Sequence, residues 1–145
     1  VYGELPVQNW IDSFHTGYNL DALAVYMENT GDTSVLDNIE KGYNFYISNF
    51  FLENGTPKYY HNKTYPIDIH CPAQLFVTLK QLNKFSKYNE LAEKLMNLTI
   101  KKKKKKKGYF YYQIKKGFSS KISYMRWSNA FMFYGMSYYL LSTTK

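Results

Sequence analysis

Three times in this chain a short polar and aromatic stretch leads straight into an apolar run. Asp12-Ser-Phe-His-Thr-Gly-Tyr-Asn-Leu20 opens onto Asp21-Ala-Leu-Ala-Val-Tyr-Met27, and Tyr65-Pro-Ile-Asp-Ile-His70 opens onto Pro72-Ala-Gln-Leu-Phe-Val-Thr-Leu79. Tyr124-Met-Arg-Trp127 opens onto Ser128-Asn-Ala-Phe-Met-Phe-Tyr134. From His15 to His70 is 55 residues and from His70 to Arg126 is 56. An interval of that size, recurring with the same local chemistry, is the signature of stacked two-helix units rather than of a sheet fold.

The runs between these entries supply the partner helices. Positions 20 and 22 to 27 are all apolar or aromatic, which predicts a first helix over about Ser13 to Asn29 buried on most of its sides. Thr30-Gly-Asp ends it, with Gly31 suited to a left-handed C-cap. A second helix is predicted over about Ser34 to Phe51, with Ser34 as cap and Asp37 in the first turn. Its apolar residues Val35, Ile39, Tyr43, Tyr46, Ile47 and Phe50 recur three and four apart, so it presents one buried stripe. Glu53-Asn-Gly-Thr-Pro is a turn, and Lys58 to Tyr65 reads as extended. The third helix carries Pro72 in its first turn, where a missing N–H is tolerated, and runs to about Asn83. The fourth, over about Lys87 to Ile100, sets Leu91, Leu95 and Leu98 against Glu90, Glu93, Lys94 and Asn97. Gly108 to Ile114 alternates like a strand, Lys115-Lys-Gly117 reads as a hairpin turn, and the fifth helix occupies about Trp127 to Leu141. The expected fold is therefore all-α: an α/α-hairpin array of about five helices, a partial toroid, with short aromatic β-hairpins before the inner helices. A chain of 145 residues suits a single domain spanning residues 1–145.

Charge narrows the choice of partner. The formal net charge of +8 comes mostly from Lys101 to Lys107; without those seven, 12 basic residues face 11 acidic ones. Only Arg126 is an arginine, whereas phosphate and base readout enlist several. No nucleic-acid partner is expected, and the lysine run reads as a flexible, solvated segment. Cys71 is the only cysteine, so no intrachain disulfide can form. The most apolar stretch, Ala130 to Leu141, is too short and too rich in Tyr and Ser to span a membrane. No basic and apolar leader opens the chain, and a cytoplasmic location is the expectation.

If the three inner helices run parallel, their beginnings share one rim, and Asp12, His15, Asp68, His70 and Arg126 line it together. Asp12 and Asp68 are candidates for general acid and base: glycoside chemistry uses two carboxyl groups about 5 Å apart for retention and about 6.5–9.5 Å apart for inversion. Each also suits a plain helix N-cap. His15 and His70 are candidates for assisting in proton transfer, or for tying a hairpin to its helix. Arg126 beside Trp127 pairs a carboxylate clamp with a stacking plane; a salt bridge to an aspartate of a neighbouring hairpin is the other use for it. Tyr60 and Tyr112, with Tyr59 and Tyr111 beside them, offer pyranose-stacking surfaces. Asn19 and Gln74 offer hydrogen bonds. His15, His61, His70 and Asp68 could be gathered by a metal, but no HExxH motif or paired cysteines support it, so neither metal nor cofactor is expected.

Trp10-Ile-Asp-Ser-Phe-His-Thr-Gly-Tyr-Asn-Leu20, the segments Lys58-Tyr-Tyr and Thr64-Tyr-Pro-Ile-Asp-Ile-His70, and Met125-Arg-Trp-Ser-Asn-Ala130 resemble the C-terminal part of bacterial capsular and exopolysaccharide biosynthesis proteins. These belong to the α/α-toroid (six-hairpin glycosidase-like) superfamily, and some carry the label aminolevulinate dehydratase. The resemblance covers most of the chain outside the lysine run. It implies a toroid with an oligosaccharide or polysaccharide cleft at one end, in the company of epimerases, lyases and hydrolases, and it implies no particular reaction. A non-catalytic glycan-binding or scaffold module is the alternative, with nucleic-acid binding through the lysine run a less favoured one. Five helices are too few to close a toroid, so the chain reads as a fragment of a larger one. The open flanks of its inner helices predict a homo-oligomer or a missing N-terminal half.

Overall fold

The computed structural model describes residues 3–103 and 108–144. Among them five α-helices carry the architecture. They are α1 (Ser13–Thr30), α2 (Leu36–Phe50), α3 (His70–Gln81), α4 (Asn89–Lys103) and α5 (Ala130–Thr143). The all-α hairpin array is what the helical periodicity predicts. Helix α3 is the keystone, packing against α1 on one side and α5 on the other, while α2 backs α1 and α4 backs α3. The core lies between the layers: Tyr43, Tyr46 and Phe50 of α2, Leu75, Phe76 and Leu79 of α3, and Ala92 and Leu95 of α4 are essentially inaccessible.

The close approach of the inner helices is set by two small residues. A Cβ on Gly135 of α5 would meet the Ala73 Cα and carbonyl oxygen of α3 at 2.8 Å, so backbone packs directly on backbone there. A Cβ on Gly17 of α1 would meet Gln74 Cγ of α3 at 2.6 Å.

The ends of the helices follow local chemistry. Asp12 caps α1 by accepting the His15 N–H at 2.9 Å, and Gly31 closes that helix at φ 72°. The start of the second helix differs from expectation. Asp32, not Ser34, caps a 3₁₀ turn over Thr33–Val35, and α2 begins at Leu36. The carboxylate of Asp32 reaches the Ser34 N–H, and Ser34 is already inside the turn. Helix α4 runs into the first lysines of the basic run; the expectation of flexibility there falls largely on residues 104–107, which lie outside the described residues.

A small antiparallel sheet joins β1 (Ile67–Asp68), β2 (Gln113–Lys115) and β3 (Phe118–Ser120). The turn between β2 and β3 uses Gly117 at φ 88°, as the Lys-Lys-Gly pattern predicts. The register sets Asp68 opposite Gln113. The segment before α3 also contributes a strand to the hairpin that precedes α5. Residues 58–65, read as extended, form isolated bridges, including Tyr60 with Asp12 and with Lys63.

Among the described residues only α3 is enclosed on nearly all sides. Helix α1 was expected to be, but Tyr18, Val25 and Tyr26 are exposed, because it has α2 and α3 for neighbours and nothing among the described residues covers its remaining face. Phe133, Leu140 and Leu141 of α5 are exposed for the same reason.

Candidate functional site

The beginnings of α1, α3 and α5 meet at one end of the molecule, around a cavity of about 430 Å³. That volume falls in the usual range for small-ligand sites, about 300–1,000 Å³. Its lining comes from all three helix entries: Phe14 and His15 from α1, Asp68 and His70 from the β1–α3 junction, Arg126, Trp127 and Phe131 from the entry to α5. Tyr59 and Tyr112 complete it.

Two of the entries solve the same problem in the same way. In each, an aspartate just before the helix accepts both the backbone N–H and the imidazole Nδ1–H of one histidine. Asp12 Oδ1 takes the His15 N–H at 2.9 Å and Oδ2 takes Nδ1 at 2.8 Å. Asp68 Oδ1 takes the His70 N–H at 2.9 Å and Nδ1 at 2.6 Å. One carboxylate thus satisfies an orphan donor of the helix start and fixes the ring. The tautomer that this bond selects, with the proton on Nδ1, leaves Nε2 of His70 as a lone-pair acceptor. Gln113 then donates to the other oxygen of Asp68 at 2.5 Å across the sheet.

The His70 imidazole is held by rings. Phe14, Tyr112, Trp127 and Phe131 all lie with centroids 5.6–6.3 Å from it. His15 is looser. Its side chain is 40% exposed against 9% for His70, and its ring meets Trp10 and Phe14 edge-on.

The third entry is built differently. Met125–Asn129 forms a π-helical turn, in which the Ser128 and Asn129 N–H groups both reach the Tyr124 carbonyl. Such turns are frequent at functional sites because they re-aim side chains. Here the turn carries Arg126 and Trp127 to the cavity, with Trp127 63% exposed. The salt bridge to an aspartate of a neighbouring hairpin is not formed: among the described residues no carboxylate pairs with Arg126, and both hairpin aspartates are occupied by histidine.

Of the residues singled out from sequence, His15, Asp68, His70, Tyr112, Arg126 and Trp127 line the cavity. Four do not. Asp12 is 1% exposed and reaches the cavity only through His15. Tyr60 packs edge-on against Trp10 and Tyr59, with the Lys63 ammonium 4.4 Å above its ring. Asn19 sits on the exposed side of α1. Gln74 turns inward and donates to Asp21 at 2.6 Å and to Thr78 at 3.1 Å, forming a polar seam between α1 and α3.

Tyr59, expected only to offer a stacking surface beside Tyr60, lines the cavity and has a second use there. Burial first, then the charges of Asp12 and Asp68, push its hydroxyl well above the usual tyrosine range. It stays protonated at any physiological pH and can donate a hydrogen bond. Phe14 and Phe131, given no role from the sequence, both face the cavity. Tyr112 is likewise held protonated, by partial burial and then by Asp68. Among the described residues no three His, Cys, Asp or Glu side chains gather closely enough to hold a metal ion. His61 lies apart, with Nδ1 at 3.4 Å from the Ile11 carbonyl.

The fold resembles that of a solved structure. A selenomethionine derivative of the GH76 α-mannanase of Bacteroides thetaiotaomicron superposes with a TM-score of 0.74 at 13% sequence identity. The match covers 92% of this chain and 40% of that one, so the chain spans less than half the length of the protein it matches. That neighbour has an α/α-toroid fold, and the likeness gives this chain the fold of a segment of such a toroid. No protein-family model and no curated protein matches the chain in sequence. Among the described residues no helix is long and apolar enough to cross a membrane.

Proposed function

We propose that this chain is a carbohydrate-active module of bacterial cell-envelope polysaccharide biosynthesis or modification. On this reading it takes part of an oligosaccharide into the cavity at the beginnings of α1, α3 and α5. The observation that carries the reading is the convergence of His15, His70 and Arg126 on one aromatic-walled cavity from three entries at least 55 residues apart. Sugars present apolar ring faces edged with hydroxyls. Trp127 and Tyr112 offer faces for the first, while the imidazoles and the Tyr59 hydroxyl offer partners for the second. The bacterial envelope setting rests on the sequence resemblance, and the toroid fold is consistent with it.

In this reading His70 is the proton-transfer group. Asp68 accepts its Nδ1–H and stabilises the imidazolium, so that Nε2 takes a proton from a sugar hydroxyl or ring carbon and returns it. Asp12 does the same for His15. The two aspartates, expected as acid and base, are better suited to orienting the imidazoles, because their oxygens are already engaged and both are 1% exposed. The same observation favours a second reading, a binding module without catalysis, since among the described residues no carboxyl faces the cavity with an oxygen unspent. His70→Gln separates the two. With an oligosaccharide found by glycan array, turnover should fall at least about 100-fold while affinity changes little if His70 moves the proton. Absence of turnover by the unaltered chain on every bound glycan would leave the binding module.

A further inference from the structure

Resting on the carbohydrate reading of the cavity, we infer that the sugar it takes carries a carboxylate, and that Arg126 is the residue that selects for it. The first ground is charge accounting. Each carboxylate near the cavity already has donors aimed at it: Asp12 has two from His15, and Asp68 has two from His70 and one from Gln113. The guanidinium of Arg126 lines the same cavity with no carboxylate paired to it among the described residues. The negative charges are spent inside the protein; the positive one is presented at the mouth.

The second ground is the choice of side chain. This chain uses lysine for 18 of its 19 basic residues, so arginine is the exception and it stands at the cavity. A lysine would supply charge alone, whereas a guanidinium supplies a planar fork that matches both oxygens of a carboxylate. A surface cation kept for solubility needs no fork.

The third ground is what surrounds it. Trp127, adjacent in the π-helical turn, is 63% exposed and offers a stacking face within reach of a pyranose whose acid group meets Arg126. One fixed positive charge balances one carboxylate. A phosphate dianion is ordinarily held by several cationic or backbone donors, and among the described residues no lysine lines this cavity.

The test compares sugars that differ in charge alone. Oligomers of galacturonate, glucuronate and mannuronate are titrated calorimetrically against the full chain, each as the free acid and as its methyl ester, with inorganic phosphate as a separate arm. At least one free acid should bind ten-fold or more tightly than its own ester. Arg126→Gln should erase that preference, bringing acid and ester to within about two-fold of each other, and Arg126→Lys should restore only part of it. Preserved acid preference in Arg126→Gln would overturn the inference, the lysine run or another cation being then responsible. Equal binding of acid and ester would overturn it while leaving the carbohydrate reading standing. Failure of all six oligomers to bind would overturn both. Tight binding of phosphate in place of the uronates would overturn it in favour of a phosphate site.

Discussion

Asp12–His15 and Asp68–His70 are the same device set in two surroundings. In both, one carboxylate accepts a backbone N–H at a helix start and holds an imidazole through Nδ1. The first pair sits at the edge of the array, with its histidine 40% exposed and its aspartate supplied by one partner residue. The second sits at the centre, enclosed by four rings, with its histidine 9% exposed and a third donor from a strand 45 residues away. The difference teaches that burial, not motif, decides the role. On the proposed reading the outer pair combines a helix cap with a secondary place at the rim. The inner one costs desolvation and is repaid only if its geometry is kept, which is the condition for directed chemistry.

The largest expected effect comes from breaking the inner pair. Asp68→Ala leaves the His70 N–H and Nδ1–H and the Gln113 amide without an acceptor in a buried place, and should lower stability by about 3 kcal/mol in urea unfolding. Asp12→Ala removes a buried cap whose partner imidazole is 40% exposed and can turn to water, and should cost about 1 kcal/mol. Equal losses, or the reverse order, would show that the two surroundings do not matter.

A third carboxylate sharpens the contrast. Asp21 lies in the α1–α3 seam with neither an imidazole nor a cap to serve. Burial raises its pKa from 3.8 to about 6, against the lowering effect of its bonds to Thr78 and Gln74. The folded state therefore holds this proton more tightly than the unfolded chain. The stabilisation is complete below the unfolded value of 3.8 and is lost as pH rises through about 6. Asp21→Asn should flatten that fall and make the chain more stable at pH 8 by about 1–2 kcal/mol. Unchanged pH dependence in the variant would place the loss elsewhere. The smallest effect is expected at the outer imidazole. His15→Gln keeps a hydrogen-bonding group on an exposed side chain, so it should change glycan affinity by no more than about five-fold and leave stability within about 0.5 kcal/mol.

How much of this could be read in the sequence follows from distance along the chain. The Asp12 cap, the Gly31 terminus and the Gly117 turn are local, and each is decided within four residues. The convergence of the three entries was legible because their spacing repeats. What could not be read is which face meets which neighbour. Gln74 appeared to point to the rim, but one helical turn in from His70 it faces Asp21 of α1 instead. Asn19, one residue from the buried Leu20, falls on the open side of α1. Gln113 became a partner of Asp68 through strand register, which alternation predicts only up to the identity of the opposing strand. Tyr59 gave no signal apart from three other hairpin tyrosines; only the nearness of two carboxylates distinguishes it.

The most direct test of the convergence is a single spectrum. With the histidine and tryptophan side-chain nitrogens resolved by ¹H–¹⁵N NMR, a bound oligosaccharide should move His15, His70 and Trp127 together along one binding curve, while His61 outside the cavity stays still. Movement of His61 without His70 and Trp127, or of the three along separate curves, would contradict a shared site at the beginnings of α1, α3 and α5.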